Sequence, residues 1–330
     1  MLFQETLNKE NTMAEAQTAA NSVPRISLQG FAGASSSDAS RQAFIDQLWQ
    51  ALAEFGFVVI SDHGISASTF TKAYALSQQL FGLPLAQKQG FEQGNGQRGY
   101  IAFGKETAKG SNHPDLKEYW HIGPELNTAE AVYVDYPANV WPDAQMPAFK
   151  PFFLALHQQL TEVALTLLEA LALAMELPND YFANMIHRGN SVQRLIHYPP
   201  LGQTDPGESV RAAAHADINL MTLLIGATDS GLELLDKNGR WLAVENQAND
   251  LVVDTGDMMA LLTNNALPAT VHRVVNPTNT TEPRYSIPFF VHPRNEVMLK
   301  PLAQFASQGE ARQPISAGDY LAQRLRENGF

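Results

Sequence analysis

Three residues of types that bind metal ions lie in the carboxyl-terminal half of this 330-residue chain. His215 and Asp217 are separated by one residue in a strand-like run, so both side chains are expected on the same face of a strand. His272 lies in a second β run, at 271–275, and antiparallel strands that are distant in sequence can pair side by side. Imidazole and carboxylate groups are ligands of divalent transition metals. We therefore predict that these three residues hold a metal ion.

Two imidazoles and one carboxylate on one face of an octahedron leave three coordination positions open, as is typical of non-haem Fe(II) oxygenases. Two further residues could bind a ligand that occupies those positions. Arg284 and Ser286 begin the next β run and share a strand face. A guanidinium with a hydroxyl suits a carboxylate, and Arg is preferred to Lys for bidentate recognition. The residues predict a small anionic ligand.

The composition excludes several classes of function. A chain that is 45% hydrophobic and 17% charged is globular rather than disordered. The net charge of −12, without any basic block, argues against binding to nucleic acids. The absence of cysteine excludes disulfides, thiolate metal sites and iron–sulfur clusters. We find no targeting signal and no apolar segment long enough to span a bilayer, and we expect a cytoplasmic monomer that acts on a small molecule.

The elements that must position the candidate residues change character near residue 190. Before it, apolar residues at helical spacing predict helices at 38–55, 66–81 and 147–176, with a short β run at 57–60. After it, eight short β runs follow one another: 192–198, 220–225, 232–235, 241–244, 251–253, 258–262, 271–275 and 285–291. Eight such strands predict a mainly β fold, a double-stranded β-helix (jelly roll) with flanking helices and an amino-terminal helical region.

Five segments are expected along the chain. They are a disordered extension at 1–22, a mixed helical region at 23–145, a long helix and its connection at 146–189, the jelly-roll core at 190–300, and a carboxyl-terminal helical segment at 301–330. Either Met1 or Met13 could be the biological start.

Short motifs make the sequence resemble the isopenicillin N synthase-like family of Fe(II)- and 2-oxoglutarate-dependent dioxygenases, from residue 23 to the carboxyl terminus. The motifs are His215-Ala216-Asp217, Gly239-Arg240-Trp241, LVVDTGD at 251–257, Thr263-Asn264-Asn265, His272-Arg273-Val274 and Arg284-Tyr285-Ser286. Upstream, the segment at 194–200 is similar to the family pattern Arg-x-Asn-x-Tyr-Pro-Pro, with Ile196 where many members carry Asn.

The resemblance implies roles for these residues. His215, Asp217 and His272 would be the iron ligands, and Arg284 and Ser286 would hold the distal carboxylate of 2-oxoglutarate, with Tyr198 as an additional donor. Dioxygen would be the oxidant, with ascorbate as a possible reductant. The resemblance also implies that aromatic side chains face the substrate pocket, which we assign to Tyr100, Phe103, Tyr119, Trp120, His121 and Phe290. No separate acid or base is expected, and the reaction would release succinate and CO2, most often with hydroxylation of an unactivated C–H bond.

Two other functions fit the same residues. An oxidase of the isopenicillin N synthase or aminocyclopropane-carboxylate oxidase kind uses this fold without 2-oxoglutarate, and the Arg-x-Ser pair then holds the carboxylate of the substrate. A catalytically silent jelly-roll binding module could keep a metal for structure, although structural metal sites tend to be closed. Succinate formation and oxygen uptake separate the three.

Overall fold

The computed structural model describes residues 22–94, 96–105, 115–125, 136–202, 210–276, 281–307 and 313–327. The proposed extension at 1–22 lies outside them except for its last residue. The helices are α1 (Gln29–Ala32), α2 (Asp38–Phe55), α3 (Ala67–Phe81), α4 (Leu85–Gln89), α5 (Phe149–Ala174), α6 (Tyr181–Ile186), α7 (Asp257–Leu262) and α8 (Ala317–Glu327), with a 3₁₀ turn at Ala303–Phe305.

Fourteen strands are present in the described part of the chain. They are β1 (Arg25–Ser27), β2 (Phe57–Ser61), β3 (Gly99–Ile101), β4 (Glu118–Ile122), β5 (Val192–Tyr198), β6 (Ala212–His215), β7 (Met221–Ile225), β8 (Leu232–Leu235), β9 (Trp241–Ala243), β10 (Leu251–Thr255), β11 (His272–Val274), β12 (Arg284–Val291), β13 (Met298–Leu299) and β14 (Ile315–Ser316).

Two sheets form the double-stranded β-helix. The large sheet has the order β1-β2-β10-β7-β12-β5-β4-β3, and the small sheet has the order β6-β11-β8-β9. The strands pair antiparallel except for β1 with β2. Apolar side chains of both sheets, among them Phe57, Val252 and Leu234, fill the space between them. This packing fixes the spacing of the two sheets, and the candidate site residues come from both.

Helices cover the outer face of the large sheet, as the sequence predicts for the amino-terminal region. The helix α2 begins after Ser37, whose side chain forms a capping box with Ser40, and it ends at Gly56. Gly56 has a φ of +67°, which favours glycine, and a Cβ there would lie 2.1 Å from the Thr270 hydroxyl oxygen. The long helix α5 buries a stripe of apolar side chains in the main core. Gly56 therefore allows α2 to end against the loop that precedes β11.

One predicted strand is wrong. The run at 258–262 is the helix α7, which follows the extended residue Gly256. Four of its five residues, Met258, Met259, Ala260 and Leu262, are buried, so the run has neither a helical nor a strand period in its polarity. The other seven runs contain strands, and the helices predicted at 38–55, 66–81 and 147–176 are confirmed within three residues at each end. Among the described residues, none of the helices is both long and apolar enough to cross a bilayer.

Candidate active site

The two candidate histidines face each other across neighbouring strands of the small sheet. His215 is the last residue of β6 and His272 is the first of β11, and they are direct cross-strand partners. Their ring centroids are 4.5 Å apart. The expected pairing of distant strands is therefore confirmed. Asp217, however, lies two residues beyond the end of β6, so a shared strand face does not explain its position.

Backbone carbonyls orient both imidazole rings. The Nδ1 of His215 donates to the carbonyl oxygen of Ala213 at 2.7 Å, and the Nδ1 of His272 donates to that of Thr270 at 3.1 Å. A carbonyl only accepts, so each Nδ1 carries the proton and each Nε2 presents a lone pair. Both Nε2 atoms are 3.8 Å from the Oδ1 of Asp217. One ligand atom from each residue lies within 4.8 Å of the others, which makes this a candidate metal site.

Neighbouring polar groups hold the Asp217 carboxylate. The Thr222 hydroxyl donates to its Oδ2, which leaves Oδ1 directed at the imidazoles. The Nδ2 of Asn219 donates to the Thr222 oxygen at 3.0 Å, so the hydroxyl proton is free to point at Asp217. The backbone N–H of Asp257 donates to the Asp217 carbonyl at 2.7 Å. Hydrogen bonds from a loop, rather than a strand, thus place this carboxylate.

The electrostatics of the site favour the charge states that bind a metal. Burial, and then repulsion from His215, hold the pKa of His272 well below its usual range, so the ring is neutral at pH 7. Burial, and then the charge of Asp217, hold the pKa of the Asp254 carboxyl well above its usual range. The raised pKa favours the neutral form of Asp254, which lies on β10.

Arg284 and Ser286 lie on the large sheet, on one face of β12. Their cross-strand partners on β5 are Tyr198 and Ile196. The Arg284 guanidinium is 5.0 Å from the centroid of the Tyr198 ring, and its Nε donates to the carbonyl of Asp229 at 3.2 Å. The side chain is buried, and its Nη1 has no hydrogen-bond partner among the described residues. A buried guanidinium with a free N–H fits an anion that the protein itself does not supply.

A cavity of about 300 Å³ opens beside His215 and Asp217. Of the six aromatic residues assigned to the pocket, His121 and Phe290 line this cavity. Tyr119 shares a face of β4 with His121 and packs beneath the guanidinium of Arg194, at 4.3 Å. The structure does not bring the other three to the cavity. Tyr100 bonds Glu118, Trp120 packs on Phe149, and Phe103 is 49% exposed.

Sequence reasoning missed most of the polar residues of the cavity. They are Gln97, Arg98, Asp115, Lys117, Asn190, Arg194, Asn219, His292 and Arg324. Several come from loops and from the carboxyl-terminal helix, where no periodic pattern distinguishes a side chain that faces the site. The only signal was type, since a buried Arg or His within a loop is unusual.

The helix α8 closes one side of the cavity with Leu321, Arg324 and Leu325. The Tyr320 hydroxyl donates to the Oδ2 of Asp257 at 2.9 Å, and Arg324 lies 3.4 Å from the same oxygen. Because Asp257 also bonds the backbone of Asp217, the helix is anchored next to the candidate metal site.

Two family models match the chain. Residues 23–144 match the model for the amino-terminal region of a non-haem dioxygenase in morphine synthesis, and residues 174–293 match the 2OG-Fe(II) oxygenase superfamily. A proline hydroxylase, buaE, of Petromyces alliaceus is 31% identical over 304 residues, which cover 86% of this chain and 93% of that protein. The chain belongs to the 2OG-Fe(II) oxygenase superfamily. A 2-oxoglutarate-dependent dioxygenase, ecdK, of Aspergillus rugulosus is 30% identical over 82% of this chain and 89% of that protein.

Solved structures of the superfamily have the same fold. A 2OG-Fe(II) oxygenase family protein of Caulobacter crescentus is 39% identical, with a TM-score of 0.82, 92% of this chain and 98% of that chain covered. A full-length protein of Neurospora crassa, solved in complex with alpha-KG, is 27% identical, with a TM-score of 0.80. The match covers 92% of this chain and 95% of that chain. This member of the superfamily is accordingly an oxidoreductase, a 2-oxoglutarate-dependent Fe(II) dioxygenase, and it uses Fe(II), 2-oxoglutarate and O2.

Proposed function

We propose that this dioxygenase hydroxylates an unactivated C–H bond of a small organic molecule, with succinate and CO2 as coproducts. The observation that carries the proposal is the position of His215, Asp217 and His272, whose ligand atoms lie within 4.8 Å of one another. His215 and Asp217 also line the cavity of about 300 Å³, so a molecule held in it lies beside the metal site. The proposed oxidation of a substrate C–H bond rests on this closeness of the cavity to the metal site.

The three residues suit one face of an octahedral metal ion. The Nε2 atoms of His215 and His272 and the Oδ1 of Asp217 would be the ligands, and three positions would stay open. Iron, when bound there, supplies the dioxygen chemistry that couples decarboxylation of 2-oxoglutarate to oxidation of the substrate. The protein contributes the fixed tautomers of both histidines and the Thr222 hydroxyl, which orients the Asp217 carboxylate.

The guanidinium of Arg284 would bind the distal carboxylate of 2-oxoglutarate, together with the hydroxyls of Ser286 and Tyr198. Its buried Nη1, which has no partner among the residues described, supports this role, because a charge-assisted bond would satisfy it. A second guanidinium, that of Arg211, lies 5.9 Å from the Tyr198 ring and is paired with Asp229 at 3.1 Å. The region is nearly closed to solvent, which keeps these bonds strong.

The substrate would lie against His121 and Phe290. The guanidinium of Arg194 stacks 5.0 Å from the centroid of the Phe290 ring, and its Nε donates to the Nε2 of His121 at 2.6 Å. These contacts fix the rings of His121 and Phe290, which form a flat side of the cavity. The proposed roles of these side chains are to orient the target C–H bond and to exclude water.

The first test is an anaerobic titration of the metal-free protein with Fe(II) and 2-oxoglutarate, followed by the visible charge-transfer band of the chelate. We expect a band in the wild type and a requirement for at least about tenfold more 2-oxoglutarate in Arg284→Ala, because a charged hydrogen bond is lost. Arg41→Ala removes a surface guanidinium that pairs with Glu169, and it is the matched control, with no change expected.

The remaining outcomes separate the alternatives. Binding of Fe(II) without a band at any concentration of 2-oxoglutarate would refute the proposed cosubstrate site at Arg284 and favour the oxidase. Retained iron without oxygen uptake in the presence of 2-oxoglutarate would favour the silent binding module. One succinate for each oxidised substrate molecule is the result that supports the proposal.

A further inference from the structure

Arg98 is a buried cation on the wall of the cavity that the proposed function leaves without a role. It is 1% exposed and lines the cavity together with Asn190 and His292. Its guanidinium lies against the backbone of Gly123, where a Cβ would come within 2.1 Å of Nη2. The guanidinium therefore occupies a space that exists only because residue 123 is a glycine without a Cβ.

The hydrogen bonds of Arg98 go to neutral acceptors. Its Nη2 donates to the Oδ1 of Asn190 at 2.5 Å, and its Nη1 donates to the carbonyl of Gln97 at 2.8 Å. Its Nε has no partner, and no carboxylate pairs with it, in the part of the chain that the structure describes. A buried charge without a counter-charge is energetically costly and is rare unless a ligand completes it.

Two other cations of the cavity differ in this respect. Lys117 is 2.7 Å from Asp115, and Arg324 is 3.4 Å from Asp257. Burial lowers the pKa of Arg98 to about 10, so the guanidinium remains charged at pH 7. Arg98 is thus a fully buried positive charge on the cavity wall that no described acidic group neutralises.

We propose that Arg98 binds a carboxylate of the primary substrate, and that this dioxygenase acts on small organic acids. The proposal rests on the proposed function, because the acid would occupy the cavity next to the metal site. Asn190 fixes the guanidinium, and the buried Nδ1 of His292, which has no partner among the described residues, offers one further polar contact. Phe290 on the same cavity wall suits an apolar or aromatic body attached to the carboxylate.

The test compares benzoate with benzamide, two flat molecules of the same shape that differ in charge. Each is titrated calorimetrically into the full-length protein, under nitrogen, with Fe(II) and saturating 2-oxoglutarate so that the Arg284 site is filled. We expect benzoate to bind the wild type at least about tenfold more tightly than benzamide. Arg98→Gln should weaken benzoate about ten- to hundredfold and leave benzamide nearly unchanged.

A second variant keeps the test decisive if Arg98→Gln fails to fold. Asn190→Asp places a carboxylate 2.5 Å from the guanidinium, so it should satisfy the cation, raise the melting temperature and abolish the preference for benzoate. Arg41→Gln is the control for the loss of a guanidinium elsewhere, and benzoate should bind it as it binds the wild type.

Equal binding of benzoate and benzamide to the wild type would overturn the proposal, and so would a benzoate affinity that neither variant changes. The charge-transfer band in the same samples reports the proposed function separately. A band without benzoate selectivity refutes only the acid site. Benzoate selectivity that depends on Arg98, without a band, supports the acid site and refutes the proposed cosubstrate site at Arg284.

Discussion

Replacing Thr222 with valine tests whether a hydroxyl outside the metal ligands tunes metal affinity. The hydroxyl donates to the Oδ2 of Asp217, and it is the side-chain donor that the described residues provide to that oxygen. Valine has nearly the same shape and is favoured in a strand, so β7 should form unchanged. The Nδ2 of Asn219 keeps its second bond, to the carbonyl of Met221 at 3.1 Å. The substitution therefore removes the bond to Asp217 and the bond from Asn219, whose amide keeps its other partner.

The size of the effect follows from the charge of the acceptor. A hydrogen bond to a charged group contributes about 1.5–3 kcal/mol, and the loss of a partner that orients a metal ligand costs about 10- to 100-fold in metal affinity. The Asp217 carboxylate is mostly buried, so water replaces the hydroxyl poorly. We expect the lower limit of that range at least, about tenfold weaker Fe(II) binding.

The assay is anaerobic competition for Fe(II) between the protein and a chromogenic chelator. Thr222→Ser keeps the hydroxyl and should retain most of the affinity. Thr161→Val removes a hydroxyl that bonds the carbonyl of His157 within α5, and it should leave the affinity unchanged. Fe(II) affinity of Thr222→Val within about twofold of the wild type would refute the reasoning, because Asp217 would then be oriented without the hydroxyl.

Three further predictions concern stability. Gly56→Ala should lower the free energy of unfolding in urea by about 1–3 kcal/mol, because φ is +67° and the new Cβ would meet Thr270; a loss below about 0.5 kcal/mol would contradict the packing. Burial lowers the pKa of His157 from 6.5 to about 4, so the folded protein favours the neutral ring. The free energy of unfolding should be at its full value above pH 6.5 and should fall by up to about 3 kcal/mol as the pH falls toward 4. Stability measured across that range should fall less steeply in His157→Gln, and an identical slope would be the contrary result. Tyr320→Phe removes the bond to Asp257 and should speed hydrogen exchange in α8, about fivefold for about 1 kcal/mol; unchanged exchange would show that the bond does not anchor the helix.

The sequence predicted the residues whose type and spacing carry chemistry. A histidine on each of two β runs and an Arg-x-Ser pair on a third are recognisable because strands fix the direction of alternate side chains. Asp217 was placed near His215 for a partly wrong reason, since it lies past the strand and hydrogen bonds hold it. Asp217 was thus predicted correctly as a neighbour of His215 from its residue type and its sequence position, and not from its local structure.

The substrate side of the site was less predictable. Every residue of β4 is buried, because helices cover one face of the large sheet and the cavity lies on the other. Alternation of polarity therefore could not separate His121 from Trp120. Arg98 and Asn190 lie on loops before β3 and β5, where the chain direction depends on tertiary packing. The helix α7 was missed for a related reason, as burial on nearly all sides removed its period.

The division of the site between the two sheets has a consequence for the lifetime of the protein. The histidines belong to the small sheet, whereas Arg284 and Ser286 belong to the large one. On the proposed roles of these residues, metal and cosubstrate together would contact both sheets and act as a reversible cross-link between them. A ligand at a hundred times its Kd adds about 2.7 kcal/mol to stability. Proteases cleave the opened chain in proportion to its population. Cellular abundance of the enzyme is then expected to follow the supply of iron and 2-oxoglutarate.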